Sequence, residues 1–193
     1  MSNHEDFGVL NTPEEILNLC IRHVKPKDIE FAKERDFSIE LMGHSNLDEE
    51  GLTAYVAPQF IPTTEALTSI DFENNAVQID AEFAQEHLLK GKGAGSIPTA
   101  SAVLSDLVSL FENYSYDYSK ASQKPAEFNS EKLIKVYLSS YHHEDLQSIK
   151  FKTEILCGTQ KNLQYKIGEI SVKSIQQQAA VISTELFIAV FPD

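Results

Sequence analysis

Apolar residues along this chain recur at helical spacing in some stretches and alternate in others. Thr12-Pro13-Glu14-Glu15 predicts a helix start, with Thr12 placed to cap, Pro13 at the first helical position and Glu15 closing a capping box. Ile16, Leu17, Leu19 and Cys20 would form that helix's apolar face. A second helix is predicted from Pro26 to about Arg35, and the alternation of Phe37, Ile39 and Leu41 predicts a strand. Further strands are predicted at 52–57, 75–80 and 85–90. Ala102, Leu104, Leu107, Val108 and Phe111 recur with helical period, so Pro98–Glu112 reads as a helix with Pro98 in its first turn.

Residues 114–130 break both periods. They are rich in Ser, Lys, Asp and Tyr and contain Pro125, the composition of a linker. Beyond them the predicted order is a strand at Leu133–Leu138, a short helix at His142–Ile149, strands at Phe151–Leu156 and Leu163–Ile167, a helix at Ser171–Gln178 and a strand at Leu186–Phe191. That β-α-β-β-α-β order is the split βαβ arrangement of a ferredoxin-like sandwich, with helices over one face of an antiparallel sheet. Small regulatory domains of the ACT type share it, as do unrelated proteins. The expected class is α+β: a mixed sheet covered by helices in residues 1–115, a linker at 116–130 and a ferredoxin-like (ACT-like) βαββαβ domain at 131–193.

Composition narrows the partners. The chain has 193 residues and is 42% hydrophobic, enough to bury a core. Its 16 Lys and Arg stand against 29 Asp and Glu, a formal charge of −13 that repels a polyphosphate backbone, so nucleic acid is not expected as a partner. Apolar runs fall short of the roughly 20 residues of a membrane span, and MSNHEDFG lacks the features of a signal peptide, so a cytoplasmic location away from membranes is expected. Cys20 and Cys157 each sit in an apolar segment and read as two buried thiols rather than a disulfide or a metal site.

The segment LKGKGAGSIPTASAVLSDL at 89–107 holds the densest glycines. A P-loop needs Lys-Ser/Thr directly after its last glycine, whereas Gly95 is followed by Ser96, Ile97 and Pro98. A Rossmann turn needs G-x-G-x-x-G, which Gly91-Lys92-Gly93-Ala94-Gly95 does not space correctly. By spacing alone the segment reads as a glycine-hinged strand-to-helix turn. Other polar groups read as surface. His142-His143-Glu144-Asp145 is a solvated helix start rather than a metal site, since adjacent histidines face different sides of a helix. Asp48-Glu49-Glu50-Gly51 is an acidic turn between strands, His44 and His87 lie at strand ends, Glu30 and Glu34 share an exposed helix face, and Lys92 is a solvated lysine within the glycine loop.

Taken jointly, residues 54–107 resemble the second half of the substrate domain of homoserine dehydrogenases. The features that carry the likeness are Pro58 and Ile61-Pro62 at a strand end, Glu65-Ala66-Leu67, Asn75-Ala76-Val77, and the Gly-x-Gly-Ala-Gly loop followed by Pro98-Thr99-Ala100-Ser101-Ala102. The likeness extends back through Asp28-Ile29-Glu30-Phe31-Ala32 to about Phe7-Gly8. The resemblance implies that Gly95, flanked by Gly93 and Ala94, lies beside the nicotinamide end of the cofactor. It also implies a parent enzyme interconverting aspartate semialdehyde and homoserine with NAD(P)H, on the path to threonine and methionine.

The family's N-terminal Rossmann domain and its catalytic aspartate and lysine have no counterpart here. No catalytic or metal-binding residue is therefore assigned, and the chain alone is expected to bind no NAD(P). The resemblance implies two partners, a second copy in a homodimer and the parent's N-terminal Rossmann portion. The alternative expectation is a non-enzymatic dimerising or small-molecule-sensing module that keeps the old loop as a turn.

Overall fold

A computed structural model describes residues 16–70, 73–83, 85–114, 127–179 and 185–192. The elements are β1 (Leu17–Asn18), a 3-10 turn (Ile21–His23), α1 (Pro26–Lys33), β2 (Phe37–Asp48), β3 (Gly51–Pro62), a 3-10 turn (Ala66–Ser69), β4 (Asn74–Ala81), β5 (Gln85–Lys92) and α2 (Ser96–Phe111). They continue with β6 (Leu133–Ser140), α3 (His143–Ser148), β7 (Thr153–Gln160), β8 (Leu163–Ser171), α4 (Val172–Ala179) and β9 (Phe187–Val190).

The chain folds as two compact units, one of Met1–Thr63 with Gln123–Asp193 and the other of Thr64–Ser122. The first is built on a seven-stranded sheet. β2 pairs antiparallel along the whole of β3, from Phe37 opposite Pro62 to Asp48 opposite Gly51. A strand has two edges, so β1 and β9 share the other: Leu17 and Asn18 lie parallel to Tyr55 and Val56, and Val190 meets Gln59. From β9 the sheet continues through β6 and β8 to β7, all antiparallel. Within β6–β9, the first strand and the third are neighbours and the fourth lies beside the first, the split βαβ order.

The boundary expected at 116–130 therefore does not separate two sheets. β3 and β9 pair across it, and residues 115–126 themselves lie outside the described ones. Side chains alternate across this sheet and give it two cores. On one face Tyr55, Ala57, Val136, Leu138, Ile188 and Val190 pack with Leu146 and Ile149 around α3 and with Val172 and Ile175 of α4. On the other, Phe60, Tyr137, Ile167, Phe187 and Ala189 pack against Phe31 and Ala32 of α1. The Phe31 ring lies 4.7 Å from Tyr137 and 4.9 Å from Tyr165, centroid to centroid, and burying it contributes about 2 kcal/mol. The expected ferredoxin-like unit thus has helices on both faces, because α1 covers the side that such a unit would leave outward.

Other expectations are corrected too. The helix expected to carry Ile16, Leu17, Leu19 and Cys20 is absent from its described part: Leu17 and Asn18 form β1 instead, and the Leu19 amide donates to the Val56 carbonyl at 2.8 Å. Burial of Leu17 against β3 outweighs local helical spacing there, while Thr12–Glu15 lie outside the described residues. Cys20 and Cys157 are both exposed, because Cys20 follows the short β1 and Cys157 lies on the outermost strand β7.

The acidic turn closes the β2–β3 hairpin. Gly51 adopts φ 119°, and a Cβ built there would strike the Glu127 carbonyl. Lys132 holds Asp48 at 3.1 Å and keeps its carboxyl below the usual range. His44 lies within β2 rather than at its end, its ring stacked 4.8 Å from Tyr55. His87 lies inside β5 opposite Ile79.

Candidate functional site

In the second unit β4 and β5 form an antiparallel hairpin, Asn74 opposite Lys92 and Asn75 opposite Gly91. The chain leaves β5 through Gly93-Ala94-Gly95 and enters α2 at Ser96, so the glycine segment is a strand-to-helix turn with all three residues exposed. Gly93 and Gly95 have different reasons to be there. The Gly93 amide donates to the Glu73 carbonyl at 2.8 Å, and a Cβ on Gly93 would fall on the Asn75 side-chain amide. Gly95 is the N-cap of α2 with φ 117° and ψ 156°, a region nearly closed to residues with a Cβ. Gly91 has neither constraint, since a Cβ there meets no heavy atom within 4 Å.

The turn places a helix start at its end. The Gly95 carbonyl accepts from the Thr99 amide at 3.1 Å and from the Thr99 hydroxyl at 2.8 Å. Pro98 has no amide hydrogen, so Ser96 and Ile97 supply the N–H groups that helix geometry leaves outside the ladder. These amides and the helix dipole make the turn able to face an anionic or carbonyl group. Lys92 is not simply solvated: its ammonium pairs with Glu73 at 2.9 Å and holds that carboxyl below its usual range. The structure brings Gly93, Ala94 and Gly95 together with Asn75, Glu73 and Lys92.

A second polar constellation went unread in the sequence. Asp28, in the first turn of α1, is fully buried. Its carboxylate accepts from the Lys25 amide at 2.8 Å, the Tyr137 hydroxyl at 2.9 Å and the Ser139 hydroxyl at 2.6 Å. Burial, reinforced by the neighbouring Asp28 charge, raises the Tyr137 phenol far above its ordinary value. The only local signal was an acid three residues after the N-cap; its side-chain partners lie on β6. Among the described residues no group of three or more His, Cys, Asp or Glu is placed to hold a metal, and no helix is long and apolar enough to cross a membrane.

Comparison with known proteins decides the family. A sequence model described as homoserine dehydrogenase matches residues 3–108, more than half of the chain. The chain belongs to the homoserine dehydrogenase family. The homoserine dehydrogenase of Lactococcus lactis subsp. lactis is 34% identical over 104 residues, which is 54% of this chain and 24% of that one. That of Helicobacter pylori is 36% identical over 104 residues, 54% of this chain and 25% of its own. In fold, the chain is similar to the crystal structure of a homoserine dehydrogenase from Thiobacillus denitrificans, with a TM-score of 0.69 and 21% identity over 98% of this chain and 50% of that one. The chain thus spans about half the length of this solved homoserine dehydrogenase, and the matched segment about a quarter of the curated ones. The glycine turn falls inside the matched segment.

Proposed function

We propose that this chain forms the C-terminal part of a homoserine dehydrogenase acting in the cytoplasm. The complete enzyme interconverts aspartate semialdehyde and homoserine with NAD(P)H, supplying threonine and methionine. Gly93, Ala94 and Gly95 form one lip of its active site beside the nicotinamide, and the cofactor's main grip comes from an N-terminal Rossmann portion. The observation that carries this reading is α2. It starts at the glycine turn yet buries no residue, and Leu104, Leu107, Val108 and Phe111 stand exposed along one side. An exposed apolar stripe of this kind marks an interaction surface, here one for the N-terminal portion.

Two measurements test this. Titration of the chain alone with NADPH, followed by fluorescence, is expected to show no saturable binding. Adding the separately produced N-terminal half of a homoserine dehydrogenase is expected to yield homoserine-dependent reduction of NADP; a mixture that forms a complex yet stays inactive would count against the reading.

Residues 131–193 act in this reading as an ACT-like unit that binds no feedback amino acid. The Ser139–Asp145 junction has no glycine, and Glu144 and Asp145 would repel a carboxylate. Calorimetric titration with threonine, methionine, lysine and isoleucine is expected to give no saturable heat. The chain also pairs with a second copy through its sheet, and light scattering giving a monomer mass at all concentrations would exclude that.

A further inference from the structure

At the C-terminal end of β6 the half-buried Lys25 ammonium meets three carbonyl oxygens from separate segments. It donates to His23 at 3.2 Å, Ser139 at 3.4 Å and Glu185 at 2.9 Å, and its nitrogen lies 5.9 Å from the centroid of the Tyr141 ring. A primary ammonium has three N–H donors, so three acceptors match it in number, while an aromatic ring adds a cation–π contact. A quaternary ammonium has no donors and a guanidinium has five in a plane; neither fits this set.

One of the three carbonyls is held in place without the lysine side chain. Ser139 is fixed in the sheet between Tyr165 of β8 and Phe187 of β9. Its hydroxyl is tied to Asp28, and the other Asp28 oxygen takes the Lys25 backbone amide rather than its ammonium. Only the four-carbon arm of Lys25 leaves the backbone to fill the space, which makes the lysine an occupant and not a wall. Burial disfavours its charge, whereas Asp28, Glu185 and Asp145 favour it.

We propose that the end of β6 is a primary-ammonium site, filled in cis by Lys25 and thereby closed to free amines. This deepens the reading of the C-terminal unit, since an occupied site explains why an amino acid's ammonium group would find no place there. The test is Lys25→Ala, which removes a group the size of n-propylammonium. Its thermal midpoint is expected to fall by several degrees, and n-propylammonium is expected to restore part of that fall saturably. Tetramethylammonium at the same ionic strength should not, and the intact protein should respond to neither. Lys25→Met, which fills the space without charge, should lose midpoint without recovery. If Lys25→Ala does not fold, its refolding yield with n-propylammonium against tetramethylammonium gives the same reading. Equal response to the two cations, or a response of the intact protein matching that of Lys25→Ala, would overturn the proposal. Its failure is separable from that of the preceding reading, which the threonine titration of the unaltered protein tests.

Discussion

The Asp28 carboxylate accepts the Ser139 hydroxyl at 2.6 Å across 111 positions of sequence, joining the first turn of α1 to the C-terminal end of β6. Because Asp28 also holds Tyr137, removing its side chain leaves two hydroxyls without their acceptor in a buried place. Asp28→Ala is expected to lower stability by about 3 kcal/mol, against about 1 kcal/mol for Tyr137→Phe, in chemical denaturation. Equal effects from the two would mean that the carboxylate is not the centre of the network.

Tyr137 also sets an alkaline limit. Its folded-state value is raised above the ordinary 10.0, so its contribution is fully present below that pH and is lost as pH rises above it, when the unfolded phenol ionises first. Stability should fall by up to about 1.4 kcal/mol per pH unit beyond that point. Lys25, whose value is lowered, works in the opposite sense, and does so below its ordinary 10.5. The difference between the unaltered chain and Tyr137→Phe isolates the tyrosine, and parallel pH profiles for the two would exclude this account.

Glycine roles in the candidate loop are separable. Gly95→Ala forces a Cβ into φ 117° and is expected to cost about 1–3 kcal/mol in thermal or denaturant unfolding. Gly91→Ala, with open space around it, should stay within about 0.5 kcal/mol. If the positions respond alike, the turn conformation is not what selects glycine.

The apolar side of α2 is expected to matter for association rather than for folding. Leu107→Glu should change the stability of the isolated chain by no more than about 0.5 kcal/mol, because Leu107 is 47% exposed. The same substitution should weaken binding to the N-terminal half at least tenfold by titration. A large loss of stability would show that α2 is covered within this chain.

Both cysteines are exposed, so a thiol reagent added to the native protein should modify two groups without denaturant. Modification of only one, or of neither until the protein is unfolded, would contradict their placement on β7 and beside β1.

Much of the local architecture was legible in the sequence because the period of apolar residues reports which backbone form can bury them. The strands at 37–41, 52–57, 75–80 and 85–90 and the helix beginning near Pro26 follow that rule, as does the β-α-β-β-α-β order after residue 131. The glycine turn was legible too, since spacing excluded a P-loop and resemblance named the family. Long-range pairing was not legible. Whether Leu17 serves a helix or a strand was decided by the edge of β3 that β9 leaves open, and a local window contains no trace of that edge. The same holds for the linker, because the parallel pairing of Gln59 with Val190 unites strands that composition divides. The Asp28 network and the carbonyl set at the Lys25 ammonium exist only where α1, β6 and the approach to β9 meet. The sequence determined which segments could be helix, strand or turn; tertiary packing decided which polar groups would be buried together, because that depends on non-local pairing.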